Sequence, residues 1–318
     1  MAEEKLKTRS SRYQEDIEDS STQNESQKKK IQAENTKKEK KSHPVLNRII
    51  LCILIFFITI AAYSTLIEPK FLVVKEYKVE SKELPESFHG LKIVHFSDIH
   101  YGTTVNKKQL TKIVNKINEL KPDIVVFTGN LLDANINLTK TAKEDVTTLL
   151  KKIDCTLYKY AIYGNEDLDN KEFKNIMNET NFIILDNKST PLYYKGPTPI
   201  FITGYNPIIS SPNYTVEKEE AETTSYYEII LTHEPDSSDN FINQNPNLVL
   251  SGHSLGGIID LKLTKPLFLQ EHSKKYFEDY QKIKNTDLYI SNGVGTNSFN
   301  MRLLNPPSIN LYRLYKTK

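Results

Sequence analysis

Residues 49–67 are nineteen consecutive positions without a charged side chain. As a helix rising about 1.5 Å per residue, the run spans roughly 28 Å, close to the hydrocarbon thickness of a bilayer. Ile49, Ile50, Leu51, Ile53, Leu54, Ile55, Phe56 and Phe57 leave no polar face for water. A core helix of a soluble domain is therefore the weaker reading. A cleaved signal peptide is disfavoured by the 48-residue stretch ahead of the run, which is too long for one. The pattern predicts an uncleaved single-pass anchor in the cell membrane. Lys37, Lys38, Lys40, Lys41 and Arg48 flank its N-terminal side, whereas Glu68, Pro69 and Lys70 follow it. That bias of basic residues puts residues 1–48 in the cytoplasm and makes residues 68–318 an extracytoplasmic domain.

The anchor divides two different compositions. Residues 1–48 carry twelve Lys/Arg and nine Asp/Glu among many Ser, Gln and Asn, which reads as a solvated, disordered tail. Of the 42 basic and 40 acidic residues in the chain, 30 and 31 remain beyond it, so the outer domain is close to neutral. A net charge of +2 excludes nucleic acid as a partner held by a broad basic face. Cys52 falls in the anchor and Cys155 is alone in the outer domain, which excludes a disulfide scaffold and a Cys-rich zinc module.

The outer domain alternates strand and helix signals. Residues 91–96, 123–128 and 157–163 are short apolar runs that read as buried strands. Between them, Leu110, Ile113, Val114 and Ile117, then Ala142, Val146, Leu149, Leu150 and Ile153, recur at helical spacing. Phe173, Ile176 and Met177 suggest a third, short helix. This order predicts an α/β fold with a parallel sheet and covering helices. Residues 182–185, 199–203, 228–232, 248–250, 287–290 and 308–312 are further strands with few helical patterns between them. Residues 210–224 are polar and predict a surface loop.

Polar residues gather where the strands end. Asp98 and His100 follow the first strand, Asn130 and Asp133 the second, and Asn165, Glu166 and Asp167 the third. His233 and His253 follow two later strands. Ligands collect beyond the carboxyl ends of strands in open α/β sheets. Asp, His and Asn on glycine-bearing turns suit hard or borderline divalent metals. A single such turn is ordinary punctuation, but five in series are not.

Ser97-Asp98-Ile99-His100, Gly129-Asn130-Leu131-Leu132-Asp133, Gly164-Asn165, Thr232-His233-Glu234-Pro235-Asp236 and Gly252-His253 with Gly256-Gly257 resemble the five ordered blocks of calcineurin-like metallophosphoesterases. The bacterial membrane-anchored branch is the nearest, and the chain end is also similar to it at Ser291-Asn292-Gly293-Val294-Gly295-Thr296 and Asn305-Pro306-Pro307-Ser308-Ile309. The resemblance covers roughly residues 70–315. It implies a two-sheet β-sandwich flanked by helices, here behind an N-terminal transmembrane helix, that hydrolyses phosphoesters across two divalent ions (Mn, Zn or Fe). The metal ligands it carries over are Asp98, His100, Asn165, His233 and His253, with Asn130 as an amide-oxygen ligand. A lipid or envelope phosphoester is the substrate that the location suggests.

Three positions depart from the family pattern. Asn130 stands where the family has a metal-bridging Asp, Glu166 where it has a catalytic His, and Leu255 where it has a second His. Two dications about 3.5 Å apart repel by roughly 19 kcal/mol at an effective dielectric near 20. A bridging carboxylate offsets part of that; a neutral amide does not, and its nitrogen is a donor. One weakly held metal follows, and a pseudoenzyme kept for binding or regulation. The alternative is an active hydrolase with Glu166 as general acid, its pKa raised by burial. Asp133 would orient Asn130 or the metal shell, or cap a helix, and His95 reads as a packed core histidine.

Gly252-His253-Ser254-Leu255-Gly256 also fits the nucleophile elbow of serine hydrolases, G-x-S-x-G. Residues 257–263 then alternate as β structure rather than starting a helix. Asp260 and His272, the available acid and base, crowd close behind Ser254. This reading is the weakest of the three.

Overall fold

The computed structural model describes residues 26–32, 44–134, 136–207, 215–220, 227–297 and 300–318. Most of the expected cytoplasmic tail, and most of the polar loop expected over 210–224, lie outside the described residues. The chain forms two compact units, Met1–Thr59 and Ile60–Lys318. Helix α1, Pro44–Ala62, starts in the first. It begins five residues before the expected run, and proline is well suited to a first helical turn because its missing N–H has no partner there anyway. A π-helical turn, Tyr63–Ile67, and a 3-10 turn, Glu68–Lys70, follow. The helical stretch Pro44–Lys70 is long and apolar enough to cross a membrane by length and composition.

A short helical stretch over residues 26–32 also lies in the first unit, and the second unit holds the strands and the helices that follow α1. In chain order they are β1 (Val73–Ser81), β2 (Lys92–Phe96), α2 (Lys107–Glu119), β3 (Ile124–Phe127), α3 (Lys140–Lys151), β4 (Tyr158–Ala161), α4 (Lys171–Glu179) and β5 (Phe182–Ile184). Then come β6 (Lys188–Leu192), β7 (Ile200–Gly204), β8 (Glu217–Lys218), β9 (Glu228–Thr232), the single-turn α5 (Ser238–Phe241), β10 (Leu248–Ser251), β11 (Tyr280–Ile283), β12 (Thr286–Ile290) and β13 (Ser308–Lys316). Among the described residues they make two sheets, ordered β1-β13-β2-β3-β4-β5 and β11-β12-β10-β9-β7-β6-β8. Strands β2 to β5 are parallel, as the sequence order predicts, and so are β7, β9, β10 and β12.

Strand alternation builds two core layers from one sheet. Ile93, Ile124, Val126, Tyr160 and Ile162 point at Ile202, Ile229, Leu231, Leu248 and Leu250 of the second sheet. Their neighbours Val94, Phe96, Val125, Phe127 and Ala161 pack on Leu110, Ile113, Ile117, Leu150, Phe173 and Ile176 of α2 to α4. Each fully buried aliphatic side chain contributes about 1.5–3 kcal/mol of transfer free energy. Helix α2 is started by a capping box: Asn106 and Gln109 each accept the other's backbone N–H at 3.1 Å.

His95 sits in this core, as expected. It is fully buried, with Nε2 2.8 Å from Thr128 Oγ1 and Nδ1 3.2 Å from Tyr312 Oη. Burial pushes its imidazole down to about 3, below the ordinary value near 6.5 in the unfolded chain. Between those values the unfolded chain binds a proton that the fold refuses, so stability is full above about pH 6.5 and falls with acid at about 1.4 kcal/mol per pH unit. Thermal melts of the detergent-solubilised chain between pH 7 and 5 check this. The slope should be shallower in His95→Gln.

Candidate functional site

Five loops meet at the carboxyl ends of the strands. The backbone is left-handed at Asp98 (φ 55°), His100 (48°), Asn130 (61°) and His253 (63°). Non-glycine residues hold this conformation at a cost of about 1–3 kcal/mol each, and such strain concentrates at functional sites. Backbone bonds stitch the loops together: Asp98 N donates to Gly129 O (2.9 Å), His100 N to Asn130 O (3.1 Å), and Gly252 N to His233 O (3.0 Å).

Space around the second and third loops is tight. A Cβ on Gly164 would stand 2.2 Å from Asn130 Oδ1 and 2.4 Å from Asn130 N. Gly164→Ala must move the Asn130 turn, and about 2–4 kcal/mol of stability should be lost, read as a lower melting temperature.

Asp98, Asn130, Asn165, His233 and His253 form one network. Asn130 Nδ2 donates to Asp98 Oδ1 and to Asn165 Oδ1, both at 3.2 Å. Its Oδ1 accepts from the Glu166 N–H at 3.1 Å. The amide is thus fixed with its nitrogen, not its oxygen, toward the two candidate ligands. Asp98 Oδ2 accepts from Ser97 Oγ (2.5 Å) and the His253 N–H (3.0 Å).

The two later histidines are oriented by backbone carbonyls. His233 Nδ1 lies 2.6 Å from Thr128 O, and His253 Nε2 lies 2.7 Å from Glu271 O. A carbonyl only accepts, so each of these nitrogens carries the proton. Burial holds both rings neutral, His233 down to about 3 and His253 to about 4. The opposite nitrogens are then bare. His233 Nε2 stands 3.0 Å from Asn165 Oδ1 and 3.2 Å from His253 Nδ1. Three lone pairs converge there with no proton between them. Neutral imidazoles oriented through their second nitrogen are the usual form of a metal-ligating histidine, and this donor set fits one divalent cation.

The other half of the cluster offers two candidate donors, Asp98 and His100. His100 Nδ1 donates to Asp133 Oδ1 at 2.5 Å, and His100 Nε2 is 3.9 Å from Asp98 Oδ1. Burial opposes the charged ring, but bonding to Asp133 and the charge of Asp98 raise its pKa overall. Asp133 therefore orients His100 rather than Asn130. Leu255 is buried, and a Cβ on Gly293 would meet Leu255 Cδ2 at 2.9 Å and Asp98 Cβ at 3.0 Å. A methyl group, not an imidazole, is brought to the Asp98 side. Among the described residues no three His, Cys, Asp or Glu side chains are grouped to hold a metal ion; the third donor beside His233 and His253 is the Asn165 amide oxygen.

Glu166 lies at the edge of the cluster. Its Oε1 accepts from Asn165 Nδ2 and its Oε2 from the Ala134 N–H, both at 3.1 Å. Ser254 is fully buried, with its Oγ accepting from the Gly256 N–H (3.1 Å) and 3.5 Å from Ser291 O. The Asp260 carboxylate bonds Lys262. The chain after Ser254 forms isolated β-bridges, not a helix. A nucleophile elbow needs an exposed serine at a strand-to-helix turn, so the G-x-S-x-G reading fails on this geometry.

Two organising residues went unassigned in the sequence. Asp167 is fully buried and accepts four backbone N–H groups: Asn130 (2.6 Å), Gly164 (2.9 Å), Leu131 (2.9 Å) and Leu132 (3.4 Å). Burial pushes its carboxyl up to about 7, against the pull of those donors. Arg302 is fully buried and donates to the carbonyls of Leu255, Asn292 and Gly295. The only hint of Asp167 in the sequence was its place in Asn165-Glu166-Asp167; Arg302 gave none.

The family model for calcineurin-like phosphoesterases matches residues 91–257, more than half of the chain and all five loops. The chain belongs to the calcineurin-like phosphoesterase family. It is 30% identical over 259 residues to an uncharacterized metallophosphoesterase, YkuE, of Bacillus subtilis (strain 168), covering 80% of this chain and 90% of that one. It is 28% identical over 244 residues to a transmembrane protein with metallophosphoesterase domain of Danio rerio, covering 72% of this chain and 54% of that one. With the phosphodiesterase YaeI of Escherichia coli (strain K12) it shares 24% identity over 236 residues, covering 70% and 82%. The two sheets and flanking helices are the fold that the motifs implied.

Proposed function

We propose that this calcineurin-like protein is anchored in the cell membrane by residues 49–67. In this reading the two-metal site has been reduced to one cation position, and the fold is kept for binding or regulation rather than efficient phosphoester hydrolysis. The observation that carries the proposal is the Asn130 amide. Its N–H groups occupy the place between Asp98 and Asn165 where a bridging carboxylate would offer lone pairs to a metal. A donor pointed into that space repels a cation instead of holding it.

Asn165, His233 and His253 are the residues that would hold the remaining ion, with Asp98, His100 and Asn130 around it. The three direct donors are neutral, so binding by Mn²⁺, Zn²⁺ or Fe²⁺ would be weak. Such an ion would supply Lewis-acid polarisation of a phosphoryl oxygen. Residues 1–48 form the cytoplasmic tail and residues 68–318 the extracytoplasmic domain. The apolar stretch Pro44–Lys70 and the transmembrane relative support the anchor.

A lipid or envelope phosphoester is the ligand class that fits this placement. The site loops and the segment entering from the anchor share one end of the unit. Val73 N donates to Pro307 O, Ser308 N to Gly293 O, and Gly295 N to Asp98 O. Glu166 braces Asn165 and Ala134 through both of its oxygens, which supports a positioning role in the reduced site over a general acid free to protonate a leaving group.

The test is turnover of bis(p-nitrophenyl) phosphate by the full chain in detergent with Mn²⁺ or Zn²⁺. Turnover should stay near that of the chelated control. Robust turnover that is abolished by Glu166→Gln would establish the active-hydrolase reading instead.

A further inference from the structure

The loop after the His253 turn is unusually apolar for an exposed segment. Leu261 is 44% exposed, Leu263 89%, Leu267 45% and Phe268 64%; Leu304, on a neighbouring loop, is 53% exposed. Single exposed leucines are ordinary, but five on two adjoining loops form a patch that needs a partner. Lys262 and Lys265 sit among them. Lys265 has its ammonium 4.8 Å from the centre of the Phe277 ring, and Lys262 bonds Asp260. Leucine and phenylalanine interleaved with lysine is the composition of a segment lying in a membrane interface, apolar bodies inward and ammonium groups at headgroup level.

Connectivity says which partner. Leu267 N donates to Ile259 O (2.8 Å), and Leu303 N to Ile258 O (3.0 Å), so the 258–268 loop and the 302–304 segment lie side by side. Arg302 N in turn donates to Ser64 O (2.8 Å), and Asn305 N to Glu68 Oε1 (2.6 Å). Residues 64 and 68 belong to the helical stretch Pro44–Lys70, whose Leu66 (61%) and Ile67 (47%) are also exposed. The apolar loops are therefore tied, through two backbone N–H bonds, to the last turns of the apolar helix.

We infer that Leu261, Leu263, Leu267, Phe268 and Leu304 form a second membrane contact, seated in the bilayer interface beside the point where the helix leaves it. The occupant of this patch is the lipid surface itself. The inference rests on the reading of residues 49–67 as a membrane anchor. It gives the domain a two-point attachment, which limits rotation about the anchor and holds the end of the unit carrying Asp98 and His253 near the lipid headgroups.

The experiment uses the full chain with Cys52→Ser and Cys155→Ser, reconstituted in phosphatidylethanolamine/phosphatidylglycerol vesicles. Single cysteines at position 263 or 268 carry an environment-sensitive fluorophore. Position 55 is the control for the anchor. Position 195 is the control for the far end of the strands, where Tyr194 packs on Phe88. Lipids bearing a nitroxide near the headgroup, and in parallel samples lipids bearing one deep in the acyl chain, serve as quenchers. Labels at 263 and 268 should show blue-shifted emission that these lipids quench, and the label at 195 should show neither. Quenching at 55 by deep nitroxides without any at 263 and 268 would overturn the second contact and leave the anchor standing. No quenching at 55, 263 or 268 would overturn both. Cross-linking of position 263 to a second copy in place of lipid quenching would also overturn it.

Discussion

Asn130→Asp is expected to make the fold depend on a divalent cation. In the native chain the amide nitrogen bridges Asp98 Oδ1 and Asn165 Oδ1 at 3.2 Å. An aspartate puts an anionic oxygen in that position. Two carboxylate oxygens at that separation repel by about 5 kcal/mol at an effective dielectric of 20, comparable with the whole stability of many domains. Without metal, the variant should melt well below the parent chain or hold its new carboxyl protonated. With Mn²⁺ or Zn²⁺ it should recover, because a cation between the oxygens replaces the lost N–H donors. Parent and variant melts in chelator and in metal give the answer. A variant that melts like the parent in both would show that the Asn130 amide is not what stabilises the cluster in chelator. Adding Glu166→His and Leu255→His should then raise phosphodiester turnover by about 100-fold or more, the scale of a restored general acid and completed metal shell.

Asp167→Ala should be the most destabilising single change near the site. Four N–H groups from two loops lose their acceptor while remaining buried. Each orphaned donor costs about 1–3 kcal/mol, so a loss of about 4 kcal/mol or more is expected after relaxation. The isosteric Asp167→Asn separates this mechanism from simple packing. Each carboxylate oxygen receives two donors, so whichever end becomes the NH₂ group faces two N–H groups head-on. Asn should therefore be nearly as damaging as Ala. Chemical denaturation of the detergent-solubilised variants measures both. An Asn variant as stable as the parent would mean that the loops are held by packing and strain rather than by this carboxylate.

These residues also mark where the sequence was readable. β2, β3, β4, β9 and β10 were visible because strands buried on both faces read as continuous apolar runs, and the site loops begin where those runs stop. β1 was missed because Val73–Ser81 alternates with Lys and Glu. Among the described residues it is an edge strand paired with β13 alone, which begins at Ser308, more than 200 positions away. β6 carries Pro191, which argues against a strand in sequence but is tolerated near a sheet edge. The candidate ligands were legible as residue types after strands. The direction of the Asn130 amide was not, because it is set by Glu166 N, Asp98 and Asn165 together. Asp167 and Arg302 act on backbone groups, and backbone groups leave no trace in composition. The weight given to Glu166 as an acid came from its place in the motif. Its two accepted hydrogen bonds are a tertiary fact.

The most direct measurement is metal content. The full chain, purified in detergent, loaded with Mn²⁺ or Zn²⁺ and freed of loosely held ions, is assayed by mass spectrometry beside His233→Ala. About one ion per chain or less is expected, lost in His233→Ala, because in the proposed site three neutral donors hold one position and the Asn130 amide with Leu255 closes the other. A pair of ions retained through the same wash would contradict the reduced site.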